Sequence, residues 1–278
     1  WALVVAHHHD AENRRAGFPR PDVHGIYLFR DGVEDDAVTL ATDLSGLGND
    51  ATLFPGSAVY KSAYGVDCPL GYGFMFDTGL PYGGAMSGVM CARVLTPYGT
   101  SLALPWLWGS TVMPNTGNIT ASQDQDPNGT LYVNIPATEP SPNSMALSFL
   151  YQGASGVGVN TIQTLGYDRR GWIVFANQAR RNAMSRAIAW SYDPATNTFI
   201  HKLGSQEGTV TGAAMATEME GMGGNHMFGI AHNSNVQNAQ GDVLGAAFYS
   251  AARDFDGLDV LITAMVREAE NRGVTPQG

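Results

Sequence analysis

The chain has 278 residues and a formal net charge of −10, and only 15 residues are lysine or arginine. Hydrophobic residues make up 44% of it, enough for a sizeable core, while charged residues make up only 14%. A nucleic-acid-binding face needs clustered positive charge, and the chain has no run of basic residues and only two lysines, Lys61 and Lys202. We therefore expect no nucleic acid partner through a basic face.

The sequence also argues against a membrane-spanning helix and against a disulfide-rich scaffold. No apolar run approaches the roughly 20 residues of a membrane-spanning helix, so we expect a soluble protein without a membrane partner. The chain begins at Trp1 rather than at methionine, which fits a secreted or proteolytically processed product, or a trimmed chain. Cys68 and Cys91 are too few for a disulfide scaffold, and the alternatives are one disulfide or two buried thiols.

Short strands dominate the predicted elements, because 34 glycines and 14 prolines interrupt the chain too often for long helices. The turn chemistry of residues 193–197 predicts a hairpin between the last two strands. In chain order, apolar and alternating runs predict strands over residues 1–6, 26–30, 38–41, 74–76, 89–95, 101–104, 130–135, 145–151, 172–176, 187–192 and 198–202.

Composition changes near residue 204. The stretch 204–245 is rich in glycine, alanine, methionine and asparagine, and it predicts a helix around 213–219 followed by a loop. Apolar residues at helical spacing over 258–269 predict a final amphipathic helix, with Asp256 as N-cap and Gly273 as C-terminal cap. We predict a β-rich α+β fold of many short strands with a helical C-terminal segment. It forms a single domain over 1–278, with a subdomain break near 204 as the alternative.

Histidines and a carboxylate follow the first predicted strand. Alternate strand residues point the same way, so His7 and His9 suit a divalent metal ion, with His24 as a further ligand. Asp10 is then a candidate catalytic carboxylate. The competing interpretation is a polar loop or the remnant of a purification tag.

Asp77 is a second catalytic candidate, in the run Phe-Met-Phe-Asp-Thr-Gly at 74–79. Apolar residues before Asp-Thr-Gly resemble the active-site loop of aspartic proteases, and the resemblance implies a catalytic role for Asp77. That chemistry uses two such carboxylates that share a proton, and a second Asp-Thr-Gly or Asp-Ser-Gly is absent from the sequence. The competing interpretation is a strand that ends in a turn.

Three segments, 100–106, 128–135 and 143–151, are similar to the last strands of picorna-like jelly-roll capsid proteins. The resemblance implies a subunit that assembles with its own copies. Two functions therefore stay open. One is a hydrolase, metal-assisted or not, with a site on Gly-rich loops and a small-molecule or polymer substrate that the sequence does not indicate. The other is a non-catalytic, self-assembling capsid or shell subunit, and hence a homo-oligomer.

Overall fold

The structure is a computed structural model, and it describes residues 17–53, 58–67, 74–94, 106–110, 130–134, 145–152, 159–161, 165–167, 186–203, 206–211, 224–231 and 241–274. These ranges contain seventeen strands and one helix, α1 (Phe255–Asn271). The strands are β1 (Val23–Leu28), β2 (Leu40–Ala41), β3 (Ala51–Leu53), β4 (Tyr60–Ser62), β5 (Gly65–Asp67), β6 (Phe74–Pro81), β7 (Met86–Val94), β8 (Trp106–Ser110), β9 (Thr130–Asn134), β10 (Met145–Gln152), β11 (Val159–Thr161), β12 (Leu165–Tyr167), β13 (Arg186–Asp193), β14 (Thr198–Leu203), β15 (Gln206–Thr211), β16 (Asn225–Ala231) and β17 (Gly241–Tyr249).

Two antiparallel sheets contain all of the described strands. The helix-side sheet has the order β15-β14-β13-β7-β17-β5-β4, and β1 also pairs with β17. The outer sheet has the order β11-β10-β9-β8-β16-β6-β3-β2, and β12 pairs with β10. Some neighbouring strands are consecutive in the chain, but others, such as β7 and β17 or β16 and β6, come from distant parts of it, so the sheets depend on long-range pairing as well as on local hairpins.

Aromatic side chains fill the space between the two sheets. The ring centroids of Trp108 in the outer sheet and Trp190 in the helix-side sheet lie 4.9 Å apart. Those of Phe228 and Phe248, again one from each sheet, lie 5.7 Å apart. Alternate residues of each strand point into this core, as expected for two sheets packed face to face. The described residues therefore form a β-sandwich.

The final helix, α1, covers the other face of the helix-side sheet. Leu258 and Leu261 are buried against that sheet, on one face of the helix. Asp254 caps the helix by accepting a hydrogen bond from the backbone N–H of Gly257 at 2.9 Å. Gly273 follows the helix in the left-handed conformation, at φ +74°. No helix in the described ranges is long and apolar enough to cross a membrane.

The β-rich class and the C-terminal helix are confirmed. β1, β2, β6, β7, β9, β10, β13 and β14 overlap strands that the sequence predicts. The N-cap prediction is wrong by two residues, because Asp254 caps α1 and Asp256 lies in its first turn. The predicted strands at 1–6, 101–104 and 172–176, and the predicted helix at 213–219, lie outside the described residues. A subdomain break near 204 stays a prediction.

The sequence patterns do not predict strand β17. It is buried along its whole length, because the aromatic core lies on one face and α1 on the other. A strand buried on both faces shows no polar-apolar alternation. A Cβ atom at Gly245 would lie 2.6 Å from the carbonyl oxygen of Tyr27, so the close approach of β1 requires glycine there. The glycine and alanine content of this segment therefore reflects close packing of strands.

Candidate functional site

The predicted metal site lies only partly within the described residues. His7, His9 and Asp10 lie outside them. His24 lies in β1, half-buried, and its carbonyl oxygen accepts a hydrogen bond from Asn49 Nδ2 at 2.8 Å. Within the described ranges, no three histidine, cysteine, aspartate or glutamate side chains are grouped so that they could hold a metal ion. The metal-assisted hydrolase gains no support from this part of the chain.

Asp77 lies inside β6 rather than at a strand end, and the strand continues to Pro81. Its Oδ1 atom accepts hydrogen bonds from the backbone N–H of Gly79 at 2.8 Å and from Nδ2 of Asn225 at 3.1 Å. Asp77 therefore links β6 to β16, its neighbour in the outer sheet. The catalytic role of this carboxylate stays a prediction.

A buried histidine of β16 belongs to the aromatic core. Trp108 donates its Nε1–H to Nδ1 of His226 at 3.1 Å, and the two rings stack with centroids 5.8 Å apart. Burial lowers the pKa of His226 to about 3, with a smaller contribution from His24. His226 is therefore a neutral hydrogen-bond acceptor in the core and unsuited to proton transfer near neutral pH.

A cavity of about 410 Å³ opens where the C-terminal end of α1 meets β1 and β4. Small-molecule sites commonly occupy about 300–1,000 Å³, so the cavity is large enough for a small ligand. Polar and apolar surface contribute about equally to its lining, although five of the seven lining residues are polar or charged. The lining residues are Phe29, Arg30, Lys61, Ala63, Glu268, Asn271 and Arg272.

Two arginines neutralise the carboxylate in this cavity. Glu268 accepts hydrogen bonds from Nε and Nη2 of Arg30 at 2.9 and 2.6 Å, and from Nε and Nη2 of Arg272 at 2.8 and 2.6 Å. Burial by itself would raise the pKa of Glu268, but the two arginines outweigh that effect and hold the pKa below its ordinary value. Arg272 also donates through Nη1 to three backbone carbonyl oxygens around the cavity. The network therefore joins the end of α1 to the sheet.

The position of Lys61 in the wall of the cavity is fixed by its backbone. Its N–H donates to the carbonyl oxygen of Asp36 at 2.8 Å, and its carbonyl oxygen accepts from the N–H of Asp35 at 2.9 Å. The aliphatic stem passes Gly32, where an added Cβ atom would lie 3.5 Å from Cγ and Cδ of the lysine. The ammonium group donates to the carbonyl oxygen of Ser62 at 2.8 Å.

The two lysines of the chain have different electrostatic surroundings, although Lys61 is only 8% exposed and Lys202 only 6%. The Lys202 ammonium lies 2.9 Å from Glu207 and 2.7 Å from Asp259. Lys61 has no carboxylate at ion-pair distance among the residues that the structure describes. Burial and the charge of Arg272 lower the pKa of Lys61. Burial acts in the same direction on Lys202, but hydrogen bonds to its two carboxylates raise its pKa.

No family model and no curated protein matches this sequence. Among solved structures, the binding domain of botulinum neurotoxin serotype D is similar, with a TM-score of 0.51 at 9% identity over 88% of this chain and 52% of that one. A structure of botulinum neurotoxin type C, reported with its interaction with two ganglioside molecules, has a TM-score of 0.50 at 9% identity over 87% of this chain and 50% of that one. The binding domain of botulinum neurotoxin DC in complex with SialylT has a TM-score of 0.50 at 7% identity, over 88% and 52%. The chain spans about half the length of these structures, and the similarity is one of fold.

No sequence pattern predicts the cavity. Lys61 stands out in the sequence only as one of two lysines, and Arg30 and Glu268 have no predicted role. These residues come from the end of β1, from β4 and from the end of α1, which only the fold brings together. The local signal is the four-residue spacing of Glu268 and Arg272, which indicates an ion pair on one helix face but no ligand site.

Proposed function

We propose that the protein is a non-catalytic β-sandwich module that binds a saccharide in the cavity at the end of α1. The observation that supports this proposal is the cavity itself, whose lining combines apolar surface with converging polar groups. That combination is usual for small-molecule sites, in which a few polar groups orient the ligand.

The choice of a saccharide has two supports. A sugar ring presents both C–H faces and hydroxyl groups, which suit a lining of mixed apolar and polar surface that includes the amide group of Asn271. A structurally similar protein, botulinum neurotoxin type C, interacts with gangliosides, which are glycolipids. Saccharides are therefore the first class of ligand to test.

A glycan array with the full chain, followed by calorimetry on each glycan that binds, tests the proposal. The variant Ala63→Trp should abolish binding, because an indole at this exposed turn would occupy the cavity. Val260→Trp is the matched control. Val260 is exposed on α1, the helix that contributes to the cavity, but lies about 16 Å along the helix axis from the lining residue Asn271. Absence of binding to every glycan, or equal binding by Ala63→Trp, would refute the proposal.

The same samples test the two functions that the sequence leaves open. Release of a reducing sugar from a bound glycan would favour a hydrolase, with Asp77 as the first carboxylate to replace. A discrete oligomer in light scattering without ligand would favour the self-assembling subunit.

A further inference from the structure

Lys61 is a mostly buried cation whose charge is not balanced by contact with any described carboxylate. Buried ammonium groups are normally paired, because removing a charge from water is costly. Lys202 follows that rule with two carboxylates. The charges of Glu34 and Asp31 oppose the lowering of the Lys61 pKa without reversing it. Both carboxylates are exposed, and neither lies at ion-pair distance from the ammonium. Lys61 is one of the residues that line the cavity.

The other charged groups of the cavity do not compensate for Lys61. Three cationic side chains and one carboxylate line it, so the lining carries an excess of two positive charges. The Glu268 carboxylate already accepts four hydrogen bonds from Arg30 and Arg272. Among the described residues, the ammonium of Lys61 donates only to the Ser62 carbonyl oxygen, and an ammonium group has three N–H donors.

We propose that the saccharide bound in this cavity is acidic and that its anionic oxygen group pairs with the ammonium of Lys61. This inference rests on the proposed function, and it deepens it by naming the class of sugar. A carboxylate on a sialic or uronic acid and a sulfate ester share the required chemistry, namely a negative charge on acceptor oxygens. Lys61 is the primary contact, because Glu268 already engages the guanidinium groups of both Arg30 and Arg272.

Calorimetry with matched pairs of methyl glycosides tests the inference on the full chain. The acidic probes are the methyl glycosides of N-acetylneuraminic acid, glucuronic acid and glucose 6-sulfate, and methyl glucoside is the neutral probe. We expect the wild type to bind at least one acidic probe about tenfold or more tighter than the neutral one, as for a charge-assisted hydrogen bond. The acidic probe that binds best separates a carboxylate from a sulfate.

Variants at the two lysines assign the effect to one side chain. Lys61→Met keeps the length of the stem and should remove the preference for acidic probes, while Lys61→Arg should retain most of it. Lys202→Met removes the other lysine, away from the cavity lining, and should leave the preference unchanged. Lys61→Met should unfold at the same or a higher urea concentration than the wild type, since an unpaired buried charge is lost. That measurement also confirms that the variant folds.

Two outcomes overturn the inference without affecting the proposed function. In the first, the wild type binds acidic and neutral probes with equal affinity, and Ala63→Trp abolishes the binding of both. In the second, the preference for acidic probes survives in Lys61→Met. Titration with sodium sulfate alone tests the opposite case, in which the anion contact exists but the saccharide function does not. If sulfate binds with dependence on Lys61 while no saccharide binds, the anion contact is supported and the proposed saccharide function fails.

Discussion

Replacement of Glu268 by glutamine removes the charge that two arginines share and keeps the shape of the side chain. Glu268 is 2% exposed, and breaking a buried ion pair by removing one partner costs about 3–5 kcal/mol. The side chain of Arg272 is 12% exposed and that of Arg30 is 23% exposed, so water partly solvates the arginines that remain. We therefore expect Glu268→Gln to lower the free energy of unfolding by about 3 kcal/mol, the low end of that range.

Urea denaturation at pH 7, followed by tryptophan fluorescence, measures this change. Asp259→Asn is the matched control, because Asp259 is 53% exposed and Lys202 keeps Glu207 as a partner. Its cost should stay below about 1 kcal/mol, as for exposed ion pairs. A loss below about 1 kcal/mol for Glu268→Gln as well would refute the argument that this network holds α1 on the sheet.

The dependence on pH has a definite sign. The pKa of Glu268 is lowered in the folded protein, so its contribution to stability is present above the pKa of the unfolded glutamate, about 4.3. The contribution is lost as the pH falls through the folded value. The stability difference between wild type and Glu268→Gln should therefore shrink in acid. A difference that stays constant down to about pH 3 would contradict the assignment.

Three further predictions concern the sandwich. Gly245→Ala should destabilise the protein by about 1–3 kcal/mol in urea, because its Cβ atom would lie 2.6 Å from the carbonyl oxygen of Tyr27; an unchanged midpoint would contradict this packing. Asp43→Asn should cost about 2–3 kcal/mol in the same assay, because the carboxylate accepts three hydrogen bonds within the loop 43–50 and a fourth from the backbone N–H of Ile26 in β1, and a cost near zero would mean that the loop does not need them. In ¹⁵N NMR, His226 should carry its proton on Nε2, because Nδ1 accepts from Trp108, and a titration midpoint near about 6.5 would show that it is not buried as described.

Local patterns predict part of this fold because they report which face of an element is buried. The apolar spacing over 258–269 predicts α1, and the alternation over 130–135 predicts β9 (Thr130–Asn134). Local patterns do not predict β16 (Asn225–Ala231), whose Gly229 has φ +156° and whose register with β6 shifts near Asn225. A Cβ atom at Gly229 would lie 2.9 Å from the Met75 Cα atom. The close approach of β6 therefore requires glycine at this position, although glycine has a low propensity for strands.

The candidate site is even harder than the strands to predict from local sequence patterns. Sequence motifs favour His7, His9, His24, Asp10 and Asp77, because metal and carboxylate chemistry leaves short signatures. The cavity at Lys61 has no signature, since its wall combines β1, β4 and the last turn of α1. Only the fold brings these residues together, so no local pattern in the sequence indicates that they share a site.

By itself, the sequence determined a β-rich chain, an amphipathic C-terminal helix and a shortage of positive charge. These follow from composition and from the periods of 2.0 and 3.6 residues, which are local properties. The tertiary structure alone decided that β17 lies in the interior, that Glu268 is neutralised by two arginines, and that Lys61 is the buried lysine without a described carboxylate partner. The physical reason is that burial and charge pairing depend on neighbours in space, which here come from opposite ends of the chain.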